Sequence, residues 1–172
     1  ADQVKLTKQI GLSVEEASGL QQLSLASGKS ITDIEKAVIK QTSSLKKQTG
    51  VQLNNKKILG EVAKVSGQLR LMYANNPKLI AKAVIQTQKL GLSLEQAKNM
   101  SKGLLDFEQS ISNELEAELL LGKDLNFETA RQLALNGDVA GAAAEIAKQT
   151  GSAAEFSKMN VIQQEALAKA AG

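Results

Sequence analysis

Apolar positions along this chain recur at intervals of three and four, and small polar residues and glycine bracket each run. Val14, Ala17 and Leu20 form the first run, opened by Ser13 with Glu16 three places on. That pairing is a capping box: the serine hydroxyl accepts the N–H of the third helical residue, whose side chain accepts the serine N–H in return. Ser93 and Gln96 set up a second box ahead of Leu94, Ala97, Met100 and Leu104. Gly11 and Gly91 stand two residues before the boxes, where a left-handed glycine ends the preceding helix.

The same grammar predicts helices along the rest of the chain. Ile31, Ile34, Val38 and Leu45 line one face of a helix that runs to about Thr49 and stops at Gly50. Ile58, Leu59, Val62 and Ala63 mark another, fading near Gly67. Asn76-Pro77 opens a helix carrying Leu79, Ile80, Ala83 and Val84, because Asn caps and Pro suits the first helical position. A strong helix is predicted over 110–121, with Ile111, Leu115 and Leu119 at spacing four and Gly122 at its end. Asn126 caps a segment with Phe127, Ala130, Leu133 and Ala134. Asp138 caps another with Val139, Ala142, Ala143, Ile146 and Ala147, ending at Gly151, and a last helix covers 161–171. No stretch alternates with the period of two that a strand requires. The expected fold class is all-α, an array of short helices joined by Gly-capped turns.

One phrase returns. IGLSVEEA at 10–17 comes back as LGLSLEQA at 90–97, with five of eight positions identical. At the same offset Ser30-Ile31 falls on Ser110-Ile111, and the closing KAAG plays the part of KQIG and QKLG. Common helix punctuation accounts for some of this likeness. The alternative is a tandem unit of about 80 residues whose faces neighbouring units bury. The domain organisation read from the pattern is a helical unit over 1–90 and a second over 91–172. The start at Ala1 rather than Met, and a phrase opening again near Gly172, raise the expectation of a piece of a longer chain.

Composition narrows the chemistry. The chain has no His, Cys or Trp, three Phe and one Tyr, against 42% hydrophobic residues. A core made of Leu, Ile, Val and Ala is thin, because aromatic rings supply much of the buried area elsewhere. Disulfides and thiolate metal sites are excluded. No signal-peptide pattern and no apolar run of about 18 residues is found.

Charge separates the two halves. Residues 1–90 hold fourteen Lys/Arg against six Asp/Glu, and residues 91–172 hold seven against twelve. A drift in solvated helix faces explains this, and a basic half that meets acidic surfaces is the functional alternative. The lysines are scattered and stacking aromatics are nearly absent, so specific nucleic-acid reading is not expected.

Three features of the sequence invite a chemical reading. ASGKS at 26–30 resembles the end of a phosphate-binding loop, but Leu23 stands where that loop needs glycine and the preceding segment reads as helix. Glu114, Glu116 and Glu118 form an acidic cluster in which Glu114 and Glu118 are one turn apart; without His or matching carboxylates on a partner helix, a solvated face is the expectation. Gly137, Gly141 and alanines 142–144 form a small-residue patch, read as close packing on a neighbouring helix, with self-association as the sharper alternative. General acid–base and nucleophilic catalysis lack their usual parts. No catalytic, cofactor-binding or metal-ligating residue is assigned, no cofactor is expected, and an enzyme is not expected.

The wording of residues 75–172, above all NFETARQLALNGD at 126–138, AAAEIAKQTG at 142–151 and MNVIQQEALAKAAG at 159–172, resembles internal segments of bacteriophage tail tape measure proteins. The resemblance implies a virion structural protein in the tail lumen, assembled in the host cytoplasm. Its implied partners are tail tube and baseplate proteins. Its length would set tail length, and it would leave ahead of the DNA, with transient membrane contact at infection. A helix advances 1.5 Å per residue, so 172 residues as one helix would span roughly 260 Å. The alternatives are a helical binding or adaptor module of a larger bacterial protein, and an envelope-active helical segment.

Overall fold

The computed structural model describes residues 5–49, 54–151 and 153–172. Gly50, expected to stop a helix, lies outside the described residues. Among them the chain is all-α, with no strand. Its backbone divides into two compact units, Ala1–Lys89 and Leu90–Gly172.

In the first unit a π-helical turn, Lys5–Gln9, is followed by α1 (Val14–Ser27), α2 (Ile31–Thr49), α3 (Asn55–Lys64), α4 (Gly67–Met72) and α5 (Pro77–Lys89). Ser13 and Glu16 form the full capping box that opens α1. Gly28 closes α1 at φ 71°, a conformation that only glycine adopts without cost, and its N–H donates to the Ser24 carbonyl. α1 packs on α3, α2 packs on α5, and α3 lies against both α2 and α5. The core is Leu20, Leu23, Ile34, Val38, Ile58, Leu69, Ile80 and Ile85, all fully buried. Gly19 makes the α1–α3 approach possible: a Cβ there would collide with the Ala63 carbonyl.

The second unit holds α6 (Leu94–Leu105), α7 (Phe107–Leu121), α8 (Glu128–Leu135), α9 (Val139–Thr150), α10 (Ala153–Ser157) and α11 (Val161–Ala171). Ser93 with Gln96 and Asn160 with Gln163 form capping boxes for α6 and α11. Asp106 ends α6 and begins α7, its carboxylate accepting the Gln109 N–H. α9 packs between α6 and α8, while α11 packs on α7. Of the sixteen buried hydrophobic residues described in this unit, nine are alanine. Helices therefore approach closely and bury little area per residue, and Phe127 is the one large ring at the centre.

The helix expected to fade near Gly67 ends at Lys64, and Gly67 is the first residue of the short α4, with Ser66 as its cap. Two local expectations are corrected. Phe127, not Asn126, is the N-cap residue of α8, although the Asn126 side chain does accept the Glu128 N–H. The stripe Ile111, Leu115 and Leu119 of α7 faces outward, at 43%, 55% and 86% exposure.

Candidate functional site

The residues singled out in the sequence fall in three separate places. ASGKS at 26–30 is the junction of α1 and α2. Gly28 supplies the left-handed turn, the Ser24 hydroxyl donates to the Lys29 carbonyl, and Ser30 accepts the Asp33 N–H. These contacts close one helix and open the next, and the element that precedes them is the helix α1.

The acidic cluster of α7 is not the solvated face expected for it. Glu116 is exposed, but Glu114 is buried and Glu118 half-buried. One Glu114 oxygen meets Arg131 Nη2 at 2.7 Å, and the other accepts the Phe127 N–H at 2.7 Å. Arg131 Nη1 donates to the Ser110 hydroxyl at 3.1 Å, and its Nε reaches Glu128 at 3.4 Å. Glu118 accepts the Leu125 N–H at 3.1 Å. The physical reason is that α8 offers Arg131 on the same face as Ala130 and Ala134, so a charge enters the unit and needs a buried partner. Together the two carboxylates clasp the connection between α7 and α8. Gln149 of α9 holds the same connection from the other side through both backbone groups of Asn126, and Lys123 Nζ donates to the Gln149 carbonyl at 2.8 Å. Glu114 and Arg131 are both buried and bonded within the fold, so the centre of the clasp is a structural pair. Sequence reasoning missed the clasp, although an arginine inside an apolar-periodic segment was its signal.

The small-residue patch is buried: Ala140, Gly141, Ala142 and Ala143 face the other helices of their unit. These residues pack within their unit, while Gly137 and Ala144 of the same patch are half-buried. Among the described residues, no group of three His, Cys, Asp or Glu side chains converges to hold a metal. Among them also, no helix is long and apolar enough to cross a membrane.

Three surface features remain. A hollow of about 490 Å³ in the second unit is lined by Leu90, Leu92, Met100, Ile146, Phe156 and Leu167, with small residues between them. On α7, Ile111, Leu115 and Leu119 run along the outer face beside exposed Glu108 and Glu116. On α2, Lys36, Lys40 and Lys47 are exposed on the face opposite buried Ile34, Val38 and Thr42. These surfaces are made of apolar side chains and solvated charges. Comparison with known protein families, with curated proteins and with solved structures finds no match for this chain.

Proposed function

We propose that this chain is an internal segment of a bacteriophage tail tape measure protein, a virion structural element that sets tail length from inside the tail tube. The observation that carries the reading is the wording of residues 126–138, 142–151 and 159–172. Those phrases supply the parts that hold the second unit together: Arg131 in the clasp, Ile146 on α9 and Leu167 on α11. In this reading the chain acts by extent and packing and catalyses nothing. Tube and baseplate proteins surround it after assembly in the host cytoplasm. It leaves the lumen at DNA release, brushing the membrane in passing, and reads no nucleic-acid sequence.

The same reading takes the two units as tandem copies of one pattern of about 80 residues. What supports this is a shared set of neighbours. α1 with α3, α2 with α5, α3 with α5 and α1 with α2 in the first unit correspond to α6 with α9, α7 with α11, α9 with α11 and α6 with α7 in the second. α8 is then an added helix, which the clasp holds in place. A ruler built this way grows by whole units.

A helical adaptor module of a larger bacterial protein is the second reading, favoured by the apolar hollow of about 490 Å³. Location separates the two. Mass spectrometry of purified tails, before and after triggered DNA release, should find these peptides in intact tails and lose them from emptied ones. Their absence from intact tails would overturn the ruler reading, and a saturable soluble partner would favour the adaptor.

A further inference from the structure

We propose that the outer face of α7 docks on the outer face of α2 of a second copy of this chain, head to tail. The first observation is an inverted helix. α7 buries Ser110, Glu114 and Ala117 and turns Ile111, Leu115 and Leu119 outward, so its most apolar stripe has no cover in the single chain. Scattered exposed leucines are ordinary, but a stripe with helical spacing is a ready contact surface.

The second observation is charge, and it names the occupant. α7 with its Asp106 cap carries five carboxylates and no Lys or Arg, and Glu108 and Glu116 flank the exposed stripe. Two copies of α7 would set carboxylate against carboxylate, so this face rejects itself and favours a basic partner. The chain carries such a partner: Lys36, Lys40 and Lys47 occupy the outward face of α2, with Ile39 exposed at 46% beside them. Eight residues separate Glu108 from Glu116, about 12 Å along a helix, and seven separate Lys40 from Lys47, about 10.5 Å. Lysine stems cover leucine while their ammonium groups meet the carboxylates at the edge.

The contact is heterologous, because the acidic face lies in one unit and the basic face in the other. Each copy then offers one free face of each kind, so further copies can add head to tail. A stripe about 12 Å long falls short of a standard interface of about 800 Å² per partner, so single contacts are weak. This inference stands apart from the ruler reading, since an adaptor could self-associate in the same way.

Sedimentation velocity on the full chain tests it, from about 10 to about 500 µM at low ionic strength. The average mass should rise above the single-chain value with concentration and fall back in high salt. L115N/L119N and K36E/K40E/K47E, all at exposed positions and checked for native helicity by circular dichroism, should each weaken association at least tenfold. Mixed in equal amounts, they should form one-to-one pairs, because one retains an intact α2 face and the other an intact α7 face. E108K/E116K gives a second route: it should not associate alone and should pair with K36E/K40E/K47E. A single-chain mass at every concentration would overturn the proposal. So would association that persists in either single-face variant, or mixtures that fail to pair.

Discussion

At the scale of single residues, the buried pair Arg131–Glu114 decides whether the second unit holds together. The pair is 5% and 8% exposed at its side chains, and the guanidinium is also bonded to Ser110 and Glu128. Removing one partner strands a charge in the interior, which costs about 3–5 kcal/mol. Arg131→Met should therefore lower stability by that amount in urea unfolding followed by circular dichroism. Glu114→Met/Arg131→Met should recover much of the loss, because no lone charge remains. A change below about 1 kcal/mol in the single variant would show the pair to be incidental. Gly19 gives a test of opposite sign to intuition. In a free helix Gly→Ala stabilises by about 1 kcal/mol. Here the added methyl meets the Ala63 backbone carbonyl, and Gly19→Ala should destabilise by about 1–3 kcal/mol instead. Thermal unfolding of that variant reads the sign directly.

At the scale of elements, helix ends were legible in the sequence and buried faces only in part. Ser13, Ser93, Asp138 and Asn76-Pro77 mark real starts because capping is local chemistry: a hydroxyl, carboxylate or amide oxygen accepts an N–H two or three residues away. Gly91, Gly122 and Gly151 mark real ends for the same reason, each at positive φ. The short helices α4 and α10 were not legible, since Gly67 reads as a stop and α10 has only five residues. α7 shows the limit most clearly. Two lines run along it, Ile111–Leu115–Leu119 and Ser110–Glu114–Ala117, and hydrophobicity alone chooses the wrong one. The choice is made by Arg131, far along the chain on α8, and no local rule reaches that distance. The inversion has a measurable consequence. Leu104→Ala, at a fully buried position, should cost about 2–5 kcal/mol. Leu119→Ala, at an exposed one, should stay within about 0.5 kcal/mol in dilute solution. Equal losses in urea titrations of the two variants would contradict the face assigned to α7.

At the scale of the whole molecule, two small helical units share one style of construction: short helices, left-handed glycine turns and cores with few rings. The alanine-rich core of the second unit buries little area per residue, so its free energy of folding is modest. The chain has no cysteine with which to form a disulfide. The thermal midpoint of the dilute chain should fall below about 65 °C, and calorimetry showing a midpoint above about 80 °C would contradict easy passage through a narrow tube. The proposed role makes residue count the functional quantity. Deleting residues 11–90 from the gene that carries this chain, keeping the second unit and its clasp intact, and measuring tails by electron microscopy tests that most directly. The account predicts uniformly shorter tails, by up to about 120 Å for 80 residues as continuous helix. Tails of unchanged length would contradict it.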